Sequence, residues 1–179
     1  LFAANDGLEC AVTYGFGWAR WEKHLPGGIV TTTAFVSAGT AARVFLIQSE
    51  LSKGALRWRA DLQLGETRRD AAGVETWQDG AALCARNPAS VFPETVFRAV
   101  SDPPFDSFTC DRISADLGKW DGSTGAGASP CFAMNLPMAK TMVLVCGCAE
   151  TDALLPLTQP EAAFIALEQT QARWQETAG

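Results

Sequence analysis

Between Gly54 and Gly65 the sequence alternates with period two: Leu56, Trp58, Ala60, Leu62 and Leu64 are separated by Arg57, Arg59, Asp61 and Gln63. Successive side chains of a β-strand point to opposite faces, so this segment is expected to form a strand with one face buried and the other wet. Such a strand belongs to an antiparallel sheet, because parallel sheets are covered on both faces and their strands read as continuous apolar runs. The fold class follows largely from this segment.

Neighbouring segments extend the sheet. Ile29 to Val36 and Ala42 to Gln48 are rich in Val, Ile, Thr and Phe, and Ser37-Ala38-Gly39 between them is a turn, which makes the two a meander. Glu94 to Val100, Phe132 to Leu136 and Thr141 to Cys148 supply shorter strands, with Pro137 restricting its surroundings to an edge or a turn. Asp79 to Arg86 is expected to form a short helix ended by Asn87-Pro88.

At the C-terminus, Thr158-Gln159-Pro160-Glu161 has the pattern of a capping box, with Thr158 as N-cap and Glu161 reaching back to its amide. Phe164, Leu167 and Trp174 follow at helical intervals and are expected to form the stripe that docks on the sheet. Gly122 to Pro130 is small and flexible, loop chemistry within one unit rather than a linker between two. The whole chain, residues 1–179, is therefore expected to be a single, mainly β domain: an antiparallel β-sandwich or partly open barrel with a C-terminal helix packed on the sheet, α+β being the variant.

Composition narrows the function classes. Apolar residues make up 47% and charged residues 19%, far from the profile of a disordered chain. Lys and Arg number 14 against 20 Asp and Glu, a formal charge of −6, which is the wrong sign for neutralising phosphates and argues against nucleic acid as a partner. The locally basic stretch of Arg43, Lys53, Arg57, Arg59, Arg68 and Arg69 is interrupted by acids and is best explained as a solvated face. The longest strongly apolar run, Met142 to Ala149, is far short of the roughly 18 residues of a membrane span, so it is expected to be a buried strand.

Cys10, Cys84, Cys110, Cys131, Cys146 and Cys148 are even in number, and a chain that begins at Leu1 is expected to have lost an upstream segment. Together they predict disulfides and an extracytoplasmic place: secreted, periplasmic or in an organelle lumen. Cys146-Gly147-Cys148 is expected to lie in one strand, with both thiols on one face and each leaving for a different bridge. The competing expectation is a thiol-redox or metal centre built from Cys110, Cys131, Cys146 and Cys148, although structural zinc sites use two close pairs and this set has one.

Other chemistry is thinly represented. The single histidine, His24, sits beside Pro26-Gly27-Gly28 in an expected loop, and no Gly-x-Ser-x-Gly elbow accompanies it. The glycine-rich loop lacks the Lys and Ser/Thr of a phosphate cradle. Asp102, Asp106, Asp111, Asp116 and Asp121 have the spacing of turn and cap residues rather than of a glycosidase pair. No catalytic residue and no cofactor is assigned.

Six tryptophans remain. Trp58 and Trp174 are accounted for by the strand and helix patterns, leaving Trp18, Trp21, Trp77 and Trp120 as aromatic contact candidates, the first two in a glycine-loosened segment. The leading expectation is a non-enzymatic binding or structural accessory subunit that docks on a larger protein assembly. A carbohydrate-binding β-sandwich module using the same tryptophans is the alternative, which would make a glycan the partner.

Overall fold

The computed structural model describes residues 8–62, 64, 73–109, 112–113 and 129–178. Eight antiparallel strands form the main sheet in the order β1 (Cys10–Gly15), β2 (Trp18–Leu25), β3 (Gly28–Val36), β4 (Ala42–Ser49), β12 (Thr141–Gly147), β8 (Phe97–Asp102), β7 (Ala82–Arg86) and β6 (Glu75–Asp79). A smaller sheet places β11 (Ser129–Pro137) between β5 (Ala55–Asp61) and the short β9 (Ser107–Thr109) and β10 (Arg112–Ile113). A short helix α1 (Thr151–Leu154), a 3-10 turn (Leu155–Thr158) and the long α2 (Pro160–Ala178) end the chain. The main sheet stays open and does not close into a barrel.

The small sheet covers one face of the main sheet and the helices cover the other. Met142, Leu144 and Cys146 of β12 join Phe45 and Ile47 of β4 against Phe132, Met134 and Leu136 of β11. Val143 and Val145 join Val44 and Leu46 against Leu154, Ala163, Ala166 and Leu167. Because β4 and β12 are covered on both faces, they read as continuous apolar runs although they are antiparallel, whereas the outlying β5 keeps the alternation of a strand with one wet face.

Several expectations are corrected. Asp79 to Arg86 is the turn and second strand of a hairpin, not a helix: Glu75 pairs with Arg86 and Asp79 with Ala82. Gly80, at φ +56, occupies the first central turn position, where type II′ geometry needs a glycine and matches the twist of the flanking strands. The segment around Gly15 and His24 is likewise a regular hairpin, so His24 is an exposed strand residue opposite Ile29 and not a loop residue.

Thr158 is not the helix cap. It closes the 3-10 turn, fully buried, and donates its hydroxyl to the Leu155 carbonyl at 2.8 Å, while the extended Gln159 accepts the Ala163 amide at 2.9 Å. The docking stripe of α2 is Ala163, Ala166, Leu167 and Thr170, and the small side chains of Ala163, Ala166 and Thr170 bring the helix close to the sheet. Leu167 is buried in the stripe as expected and the half-exposed Trp174 continues it, its indole packed at Gly17, whereas Phe164 is turned off it and lies partly in solvent.

Candidate docking surface

The β1-β2 hairpin forms one end of the main sheet, and among the described residues β1 pairs only with β2. Its turn is Phe16-Gly17, with Gly17 at φ +77, the left-handed region that a two-residue turn of this kind requires at its second position. The register runs from Cys10 opposite Lys23 to Gly15 opposite Trp18. The His24 amide donates to the Glu9 carbonyl at 3.0 Å, which makes Glu9 and His24 a hydrogen-bonded pair. Such pairs alternate in antiparallel ladders, so Ala11, Thr13 and Gly15 also direct their backbone groups at β2. Cys10, Val12 and Tyr14 direct theirs outward, to the open edge.

The same residues carry an uncovered apolar stripe. Trp18 lies opposite the helix-facing Phe35, and Ala19 opposite Ala34 on the face that carries the small sheet. Alternation then puts Tyr14, Val12 and Cys10 on the small-sheet side. There Tyr14 is 78% exposed, Phe16 at the tip 69%, Val12 41% and Leu8 37%, and Cys10 is exposed as well. Nothing in Cys10–Gly15 is charged, and the strand has no proline.

From the helix side the hairpin is held firmly. The Trp18 indole lies over Gly15, leaving no room for a Cβ, and the Arg20 guanidinium sits 5.6 Å from the Trp18 ring centre. The indole of Trp174 occupies the space that a side chain at Gly17 would need. Beside the hairpin, α2 is tied to the end of β3 and the turn after it: the Thr170 hydroxyl donates to the Val36 carbonyl at 3.1 Å, and Arg173 donates to the Ala38 carbonyl at 3.1 Å. Trp174 of α2 thus braces the hairpin turn from one face, and the other face presents aromatic surface.

The opposite sheet edge is built differently. β6 is five residues long with Glu75 and Asp79 at its ends; Arg86 bridges Glu75 at 2.8 Å and lies 5.8 Å from the Trp77 ring centre. Short, charged edges resist pairing with another strand. β1, one residue longer, carries no charge.

The structure does not gather the tryptophan candidates into one platform. Trp18 faces the helix side and Trp21 the opposite side, across from Val12, so Trp21 alone adjoins the exposed stripe. Trp77 is on β6, six strands from β2, and Trp120 lies outside the described residues. Trp18, Trp21 and Trp77 are all half-buried, and Trp18 and Trp77 each carry an arginine against the ring. The exposed stripe has a local signal in the alternation of Leu8, Cys10, Val12, Tyr14 and Phe16, which the glycines at 15 and 17 disguise as loop punctuation.

Cys10, Cys84, Cys146 and Cys148 are free thiols, which corrects the expectation that they pair; Cys110 and the side chain of Cys131 lie outside the described residues. Three bridges among six cysteines would need at least one bridge within these four. Cys84 faces the helices and Cys146 the small sheet. Cys84 is level with Gly147 two strands away, about 10 Å, beyond the roughly 7 Å between Cα atoms that a disulfide tolerates. Cys10 is about 19 Å from β12, at four strand spacings, and near the other end of the sheet. Cys148 falls just past the end of β12 and is exposed, so it does not share a strand face with the buried Cys146. Burial pushes the Cys146 thiol up to about 11, partly offset by Arg43, and raises Cys84 as well, which leaves both protonated and unreactive at neutral pH. Among the described residues no cluster of His, Cys, Asp or Glu has metal-binding geometry.

Two concavities complete the surface. A polar cleft of about 550 Å³ is lined by Glu22, Glu50 and Lys140, but Glu50 already accepts the Ile29 amide at 2.9 Å. A more apolar groove of about 390 Å³ runs between Phe97, Phe92, Asn87 and Cys148. Asn87 stiffens its rim by accepting the Ala89 amide at 3.0 Å and by donating to the Leu64 carbonyl. Asp102 and Asp106 are separated by the turn at the end of β8, and Asp111, Asp116 and Asp121 lie outside the described residues. No helix among the described residues is long and apolar enough to cross a membrane.

The architecture defines an open antiparallel β protein layered between a small sheet and a C-terminal helix. In comparisons with known proteins, no family model and no curated sequence matches the chain.

Proposed function

We propose that this chain is a non-enzymatic accessory subunit that docks on a protein assembly by adding its β1 edge to a partner strand. The observation that carries this reading is the coincidence, on one strand, of outward backbone groups with no neighbouring strand among the described residues and an exposed apolar stripe. Backbone hydrogen bonds along an open edge supply affinity in such docking, and side chains on one face supply selectivity. Tyr14 and Phe16 are the anchors, since exposed aromatic side chains carry the largest contact area per residue. The Trp174 indole against Gly17 favours the same reading, because a hairpin braced at its turn loses less conformational entropy on binding.

A photo-reactive phenylalanine analogue in place of Tyr14, activated in native extract, tests this directly, with Gln78 on the acidic β6 edge as the control position. A discrete protein adduct at 14 and none at 78 is expected. No adduct at 14, or equal labelling at both edges, would overturn the reading.

A further inference from the structure

Resting on that docking reading, we propose that the occupant of the β1 edge is a second copy of this chain, paired antiparallel about a two-fold axis through Val12. Two eight-stranded sheets then become one continuous sheet.

The backbone parity fixes which registers are open. The outward groups are those of Cys10, Val12 and Tyr14, so a partner strand must bond to these. Centring the two-fold on Val12 places Val12 opposite its own copy, Cys10 opposite Tyr14 of the second copy and Leu8 opposite Phe16 of the second copy. Every opposed pair is apolar or a thiol against a ring, and all of these side chains are exposed in the single chain. The stripe therefore continues across the axis on one face. Isologous pairing of this kind is closed, using the same patch on both copies.

Charge points the same way. A net charge of −6 on each chain opposes self-association wherever charged surface meets, and like charges directly opposed across strands are destabilising. From Leu8 to Phe16 the only charge is Glu9, which this register places opposite Gly15. The alternative of pairing β1 on β6 of the next copy would bring Glu75 and Asp79 into a shorter contact and would propagate without closing.

The area is of the right order. Tyr14 and Phe16 are mostly exposed, and at roughly 150–250 Å² per aromatic side chain the four rings of a dimer offer about 600 Å². That is half of the roughly 1,200 Å² at the low end of stable interfaces. Leu8, Cys10, Val12 and the backbone edges of both copies supply the remainder.

Sedimentation of the full chain over a hundredfold concentration range tests the proposal, using wild type, Val12→Lys, Val12→Glu and an equimolar mixture of the two variants. Val12 is 41% exposed, so both variants should fold, and circular dichroism checks this. Wild type is expected at twice the 19.1 kDa chain mass. Each variant alone should dissociate at least about tenfold more readily, because like charges meet on the axis, and the mixture should regain the dimer. A wild type that stays monomeric throughout, a dimer indifferent to both variants, or a mixture that remains monomeric would overturn the proposal. The cross-link at Tyr14 keeps the two readings apart: monomeric wild type that still yields an adduct with a different protein removes the second copy and leaves docking standing. Monomer with no adduct removes both.

Discussion

Replacing Gly17 with alanine should damage the fold twice over, and the two effects can be separated. At φ +77 an L-residue is strained by about 1–2 kcal/mol. The new methyl group would also occupy the place of the Trp174 indole and drive it off the hairpin. Trp174 is 44% exposed, so about half of a ring surface of roughly 200 Å² is buried, which at about 25 cal/mol per Å² contributes about 2.5 kcal/mol. The single variant should therefore lose about 4 kcal/mol, or roughly 8–16 °C in Tm for a chain of this length. Trp174→Ala alone should cost about 2.5 kcal/mol, and adding Gly17→Ala to it only the backbone strain of about 1–2 kcal/mol. Urea unfolding of wild type, both single variants and the double variant gives the coupling, expected near 2.5 kcal/mol. Strict additivity would refute the placement of Trp174 over Gly17, and a neutral Gly17→Ala would refute the turn geometry as well.

Three further outcomes follow from the core and the thiols. Alkylation of the native protein followed by peptide mass analysis should label Cys10 and Cys148 quickly and leave Cys84 and Cys146 unlabelled until unfolding. Stability should be insensitive to the Cys146 thiol below pH 9 and fall between about pH 9 and 11. There the unfolded chain has released a proton that the folded chain still holds; the decline is about 2–3 kcal/mol, Cys84 adds to it in the same direction, and Cys146→Ala should flatten the slope. Leu144→Ala, at a fully buried position of β12 between β4 and β8, should cost about 2–5 kcal/mol in urea unfolding without changing the denaturant slope.

Local pattern was sufficient wherever one physical rule acted alone. The alternation of Leu56 to Leu64 disclosed β5 and with it the antiparallel class, and the β-branched runs disclosed β3, β4 and β12. The C-terminal helix was legible from its length and periodicity. Its facing was legible only in part: Leu167 and Trp174 do reach the sheet, but Ala163, Ala166 and Thr170 make contact because they are small, and size against a neighbour carries no periodic signal stronger than that of Phe164. The hairpin at Gly80 reads locally as a helix because a type II′ turn depends on one glycine and on strands that pair only in three dimensions.

The candidate surface divides along the same line. Sequence alone determined that Trp18 and Trp21 flank a glycine-bearing segment, that Leu8 to Phe16 alternates, and that six cysteines are available. Only the tertiary structure decided that β1 is a sheet edge with no neighbour beyond it among the described residues, that the two tryptophans face opposite ways, and that Cys84 and Cys146 are divided by the sheet itself. Strand order and the layers on either face arise from contacts between residues distant in sequence. A local pattern can therefore declare a strand, but it cannot say which strand is left at the end of the sheet.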